Sequence, residues 1–119
     1  MELLTMSLTR DASTPRRARR AVADHFATHP RADELLLCVS EIVTNAVQHA
    51  GSPQRMRVSQ TAQTVRIEVI DGDDQEPVLK EPGPLAASGR GLRIVDQLAS
   101  RWGSDALPVG KRVWFEFDL

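Results

Sequence analysis

Glu34-Leu-Leu-Leu-Cys-Val-Ser-Glu-Ile-Val-Thr-Asn-Ala-Val-Gln-His-Ala50 is the stretch on which the fold turns. With Glu41 set at zero and a turn of about 100° per residue, Ile42, Leu35, Ala46, Val39, Ala50, Val43, Leu36 and Val47 fall in one arc, between about 100° and 240°. Every residue in that arc is apolar, so the stretch predicts an amphipathic helix from Ala32 to Ala50 with this arc on the core. Gly51 supplies its stop. The opposite arc carries Leu37, Gln48, Glu41, Asn45, Cys38 and His49. A plain solvent face rarely holds a leucine and a cysteine, so this face is expected to be covered by a ligand, a lid or a partner.

The flanking segments build the rest of the layer. Leu4, Met6 and Leu8 alternate within Glu2 to Leu8, the pattern of a short strand. Asp11, Ser13 or Thr14 can cap a following helix, and Pro15 suits its first turn. Ala18, Val22 and Phe26 form the inner stripe of that helix, Arg16, Arg17, Arg19 and Arg20 crowd its start, and His29-Pro30 breaks it. Beyond the central helix, Met56 and Val58 alternate between Arg55 and Gln60. Val65, Ile67 and Val69 alternate with Arg66 and Glu68. Joined around Ala62-Gln63, these two runs make an antiparallel hairpin with one wet face.

Asp71 to Ser88 is rich in Pro, Gly, Asp and Glu and reads as one long loop. A loop of that length inside a domain is usually functional or disordered. A third helix is expected from Leu92 to Arg101, with Leu92, Val95, Leu98 and Ala99 inward and Trp102-Gly103 closing it. Arg112 to Leu119 is a last strand with Val113, Phe115 and Phe117 on one side. The order strand, two helices, hairpin, loop, helix, strand predicts an α/β two-layer sandwich. Its helices lie on one face of a mixed, mainly antiparallel sheet.

Composition narrows the class. The 119 residues fit one domain, and 41% hydrophobic content is enough for a core. The net charge of -1 gives no general push toward nucleic acid or membrane. An aromatic content of 4%, with no tyrosine, is poor for base stacking on single strands. No apolar run approaches the ~20 residues of a membrane helix. The opening Met-Glu-Leu-Leu-Thr-Met-Ser-Leu lacks a basic segment ahead of its apolar stretch, which argues against a signal peptide. Cys38 is the only cysteine, so no internal disulfide can form, and a reducing compartment is favoured. A cytoplasmic protein is the expectation.

Several residues carry possible chemistry. Glu41 and Asn45 are one helical turn apart on one face. A carboxamide oxygen beside a carboxylate suits Mg²⁺, which takes oxygen ligands and keeps several waters. In that reading Asn45 ligates the ion and Glu41 orients or deprotonates a nucleophile near a terminal phosphate. His49, about 80° from Glu41 on the helix wheel, can reach the same place or simply favour the helix C-terminus. Asp71 ends a buried strand. It is either a turn residue before Gly72 or a carboxylate accepting a hydrogen bond from the exocyclic amine of adenine. Gly89-Arg90-Gly91 stands just ahead of the third helix, where free N–H groups attract phosphate and glycine permits close approach. Arg90 adds a cation there. The four arginines of the first helix form a solvated face or meet an acidic partner.

Together these motifs resemble a known family. Ser-Glu-Ile-Val-Thr-Asn-Ala-Val-Gln-His-Ala is similar to the N box of the GHKL ATP-binding fold of histidine kinases, gyrase B, Hsp90 and MutL. Asp71-Gly72 resembles the start of the G1 box, and Gly89 to Asp96 resembles the G2 box. The Arg-rich first helix, Arg101-Trp102-Gly103 and Lys111-Arg112-Val113-Trp114-Phe115 resemble the small actinobacterial anti-sigma factor serine kinases of partner-switching systems. The resemblance covers nearly the whole chain and implies a Bergerat sandwich holding ATP and Mg²⁺. It implies binding of a sigma factor and phosphorylation of an anti-anti-sigma partner on serine or threonine, often as a homodimer. On this resemblance Glu41 is the base, Asn45 the Mg²⁺ ligand and Asp71 the adenine contact. Gly89 and Gly91 line the phosphates, and Lys111 belongs to the nucleotide site.

Two positions depart from the pattern. Asp73 stands where the G1 box has a second glycine, and Arg112 where a small hydroxyl residue near the adenine is usual. They keep a second reading open: a protein-binding regulatory module with a vestigial nucleotide site. A third, a nucleic-acid binder built on the arginine helix, is weighed down by the neutral charge and few aromatics.

Overall fold

The computed structural model describes residues 1–49, 53–72 and 87–119, with side chains throughout except at His49, Gln54 and 87–91. The elements are β1 (Glu2–Ser7), α1 (Thr14–Phe26), α2 (Ala32–His49), β2 (Pro53–Gln60), β3 (Thr64–Asp71), α3 (Ala87–Leu98), β4 (Arg101–Ala106) and β5 (Lys111–Asp118). The five strands form one sheet in the order β1-β2-β3-β5-β4. Every described pairing is antiparallel. The expected sandwich is present, with a sheet that is wholly antiparallel among the described residues.

Alternation decides which side of each strand is wet. Val65, Ile67 and Val69 of β3 and Val113, Phe115 and Phe117 of β5 are buried, facing Leu35, Val39, Ile42, Val43 and Ala46 of α2. Ala18, Val22 and Phe26 of α1 are buried too, as their four-residue spacing predicts. On the other side of the sheet the same strands carry a lattice of charge. Arg66 donates to Glu68 at 2.8 Å and to Glu116 at 3.0 Å, Arg101 donates to Glu116 at 2.9 Å, and the Arg66 guanidinium lies 4.3 Å from the centre of a Trp114 ring. Arg101 and then Arg66 hold the Glu116 carboxyl below the usual carboxylate range. The contribution of these pairs is therefore present above the ordinary glutamate range and is lost as pH falls through the lowered value.

Three expectations need correction. The third helix ends at Leu98, and Arg101–Ala106 is a strand paired along β5, with Trp102 opposite Phe115. The helix begins at Ala87, so Gly89 and Gly91 lie within its first turns. Cys38 is fully buried in the core cluster, whereas Leu37 is 42% exposed. The reason is that α2 is the middle helix, packed against α1, α3 and the sheet together. Its buried arc is therefore wider than a single apolar stripe. Of the expected long loop, Asp71 belongs to β3, 87–88 belong to α3, and residues 73–86, including Asp73, lie outside the described residues, as does Gly51.

Two positions make stability predictions. Burial pushes the Cys38 thiol up to about 12. An alkylating reagent at about pH 8 should leave Cys38 unlabelled in the folded protein and label it fully once denatured; rapid native labelling would contradict its place in the core. In the β4–β5 turn Gly110 has φ +83°, and a Cβ there would stand 1.9 Å from the Asp71 carbonyl oxygen. Gly110→Ala should cost on the order of 2–4 kcal/mol in a urea titration, from strain and from the clash. A loss within about 0.5 kcal/mol would contradict that close approach.

Candidate functional site

The two flanks of α2 differ in kind. Toward α1, Ser40, Thr44 and Val47 help line a cavity of about 560 Å³ with Arg10, Arg16 and Arg19. Toward α3, Cys38 is buried, and both Arg31 and Glu41 act electrostatically on its thiol. Asn45 lies about 20° from Cys38 on the helix wheel, so it belongs to this same flank. Both Glu41 and Asn45 are half-buried.

Arg31 fixes how α3 lies along α2. Standing at the entry to α2, it donates through Nη2 to Glu34 at 2.5 Å and to the carbonyl oxygen of Leu98, the last residue of α3, at 2.7 Å. Its guanidinium also lies 4.7 Å from the centre of the Phe117 ring. The start of α2 is thus tied to the end of α3, and the two helices run in opposite senses. The 12 residues of α3 rise about 18 Å, which brings its first turn abreast of the Asn45 turn of α2. The N–H groups of a first helical turn have no partner within the helix, and Gly89 is among those residues.

Asp71 lies at the same end. It pairs with Pro53 on one side and Lys111 on the other. Pro53 follows His49, the last residue of α2, by four residues, a reach of about 14 Å at most. Asp71 shares the parity of Val65, Ile67 and Val69, so it faces the helices, and it is only 1% exposed. The Lys111 ammonium, from a side chain 7% exposed as a residue, sits 3.3 Å from Asp71 Oδ1. Gly110 presses its own backbone onto Asp71 and Gly72, which fixes the height of β5 beside β3.

The structure pairs Lys111 with Asp71 at the end of β5 and β3, sets Glu41 and Asn45 half-buried one turn apart on α2, and puts Gly89 and Gly91 in the first turns of α3. The side chains of His49 and Arg90 lie outside the described residues. Arg112 is not at this site. It lies on the opposite face of the sheet, where its Nη2 donates to Asp105 at 3.0 Å. The residue beside Asp71 is Lys111, and the strand pattern contains the signal: Lys111 has the parity of Val113, Phe115 and Phe117, Arg112 that of Trp114 and Glu116. The cavity between α1 and α2 was not legible, because it depends on how two helices pack.

The donor set fits a Mg²⁺–triphosphate at the phosphate end. Among the described residues no group of three or more His, Cys, Asp or Glu could hold a metal. One amide oxygen suffices for an ion that completes its shell with phosphate oxygens and water.

Comparison with known proteins agrees with this fold. The structure of the RsbU and RsbW domains of Rv1364c from Mycobacterium tuberculosis is similar to 96% of this chain, with a TM-score of 0.71 and 19% identity. The histidine kinase domain of the Erythrobacter litoralis EL346 blue-light activated histidine kinase is similar to 90% of it, with a TM-score of 0.57 and 22% identity. This chain spans 31% and 60% of those two chains, and at such identities the likeness is one of fold. No curated protein sequence matches this chain. The family described as histidine kinase-like ATPase domain matches residues 7–117. With residues 7–117 matched, nearly its whole length, the chain belongs to the histidine kinase-like ATPase domain family.

Proposed function

We propose that this protein is an ATP-binding, partner-switching regulator that sequesters a sigma factor and phosphorylates an anti-anti-sigma partner on serine or threonine. The observation that supports the reading is the match of residues 7–117 to a histidine kinase-like ATPase domain, with α3 tied by Arg31 alongside the helix that carries Glu41 and Asn45. Bound Mg²⁺ would neutralise the charge on the transferred phosphoryl group. Asn45 holds the ion through its carboxamide oxygen, Glu41 takes the proton of the incoming hydroxyl, and the first turn of α3 offers its N–H groups to phosphate oxygens.

Partner contacts fall on the other flank of α2. The cavity walled by Arg10, Arg16 and Arg19 is cationic apart from Asp11 and adjoins a second hollow lined by Arg16, Arg19 and Arg20. Acidic segments of a protein partner suit it. Among the described residues no helix is long and apolar enough to cross a membrane. A second reading, in which the chain works through protein contacts and its nucleotide site is vestigial, rests on Asp73 standing where the resembled pattern has a glycine.

Calorimetric titration with ATP separates the two readings. Saturable, Mg²⁺-dependent binding is expected, and its absence at millimolar ATP would leave only the protein-contact module. Asn45→Ala should weaken Mg²⁺-dependent binding at least about tenfold without lowering the melting temperature, since alanine is the better helix former. Unchanged affinity would remove Asn45 from the site. Arg16→Glu with Arg19→Glu should weaken capture of the sigma or antagonist partner by about tenfold or more while nucleotide affinity stays within twofold or so. Equal loss of both would show a folding defect instead.

A further inference from the structure

We propose that the cavity between α1 and α2 is a second anion site, which takes a soluble phosphate-bearing molecule of nucleotide size. Arg10, Arg16 and Arg19 wall it on one side, and Ser40, Thr44 and Gln48 on the other. The last three are spaced by four residues, so they form one polar line along α2. None of the three arginines makes an ion pair among the described residues, whereas Arg31, Arg57, Arg66, Arg101 and Arg112 all do. Like charges gathered around a hollow focus a positive field that an anion relieves. The first turn of α1 holds no acidic residue to offset the positive end of its dipole, and Pro15 and Arg16 of that turn line the cavity. Asp11 is the one acidic residue in the wall. Its Oδ1 accepts from the Ser13 N–H and from the Ser13 hydroxyl, both at 2.7 Å. The cation acting on it is Arg17, which lies outside the wall. Asp11 therefore leaves the three arginines uncommitted.

Size and donor number select the ligand. A cavity of about 560 Å³ lies within the ~300–1,000 Å³ of small-molecule sites. A carboxylate offers two oxygens with about four acceptor positions, fewer than the guanidinium forks and hydroxyls present. Linked phosphates offer more oxygens, and guanidinium meets them in pairs of parallel bonds. Half-buried Pro15 and Val47 give an apolar wall for the organic part. Ser40 and Thr44 immediately precede Glu41 and Asn45, and neighbours on a helix point about 100° apart. The anion site is thus on a different flank from the candidate nucleotide residues. Its regulatory consequence rests on the partner reading above: an anion seated here keeps an acidic partner off the same arginines.

Backbone-amide NMR of the full chain, titrated with inorganic pyrophosphate in chelator at constant ionic strength, tests the site. Saturable shifts are expected at Arg16, Arg19, Ser40, Thr44 and Gln48. Arg16→Ala with Arg19→Ala, checked by its melting curve, should raise the dissociation constant at least about tenfold. If that variant does not fold, Thr44→Val, which removes one hydroxyl at nearly constant volume, should still weaken binding about threefold. Shifts centred on Gly89 and Gly91 would place the anion at the nucleotide residues and overturn the proposal. Shifts that never saturate overturn it too, since they report diffuse attraction only, and phosphatidylglycerol vesicles retaining the protein in that case would assign the arginines to a lipid surface. A glutamate peptide that moves the same amides at lower concentration than pyrophosphate also overturns it and leaves the partner reading standing. Saturable pyrophosphate binding with no response to the peptide keeps the site and removes its regulatory consequence.

Discussion

Burial of α2 against the sheet is the contact on which the molecule depends. Leu35, Val39, Ile42, Val43 and Ala46 meet the inward residues of β3 and β5, and each large aliphatic chain contributes about 1.5–3 kcal/mol over exposure. Because α2 lies between α1 and α3, the same helix also sets the position of both neighbours. Its remaining circumference is divided into a cationic cavity on one flank and a cleft with polar residues on the other. The candidate residues Glu41 and Asn45 are thus held on a helix whose own position is fixed by packing, and not on a loop.

Much of this was written in periodicity. The apolar arc of α2, the inner stripe of α1 and the alternation of β2, β3 and β5 each follow from a repeat that burial imposes, and each is observed. The candidate residues Asn45 and Asp71 stand out because their types are unusual for their positions: an asparagine in mid-helix, and an aspartate at the end of an apolar strand. What escaped was settled by neighbours far off in sequence. Cys38 sits on the polar side of a helical wheel and is nonetheless buried, because α2 is packed against α1, α3 and the sheet together. Arg101 to Ala106 shows no alternation and holds a glycine and an aspartate, both poor in strands; β5 makes it a strand by pairing. Arg112 was placed beside the base by analogy, yet the parity of β5 puts it on the far face.

The two faces of the sheet are stabilised by different physics. The inner face is apolar until its last residues, Asp71 and Lys111, where two buried side chains of opposite charge lie 3.3 Å apart. The outer face spreads its charges through half-solvated pairs centred on Arg66 and Glu116, each worth about 0–1 kcal/mol when exposed. Arg31 does a third kind of work. It closes the carboxyl end of α3 with a charged donor and covers the Phe117 ring, so one side chain joins both helices of the cleft to the last strand.

The composition that hid β4 has a consequence of its own. An outermost strand exposes backbone groups that could recruit a strand from another molecule, and open sheets must discourage this. Arg101, Gly103, Ser104 and Asp105 give this border few apolar side chains and a charge near each end, over only 6 residues. Gly103 leaves room for Trp114 to lie across it, with the ring about where a Cβ contact would begin at 3.0 Å. A more obvious strand sequence here would pair with β5 just as well and would invite edge-to-edge aggregation.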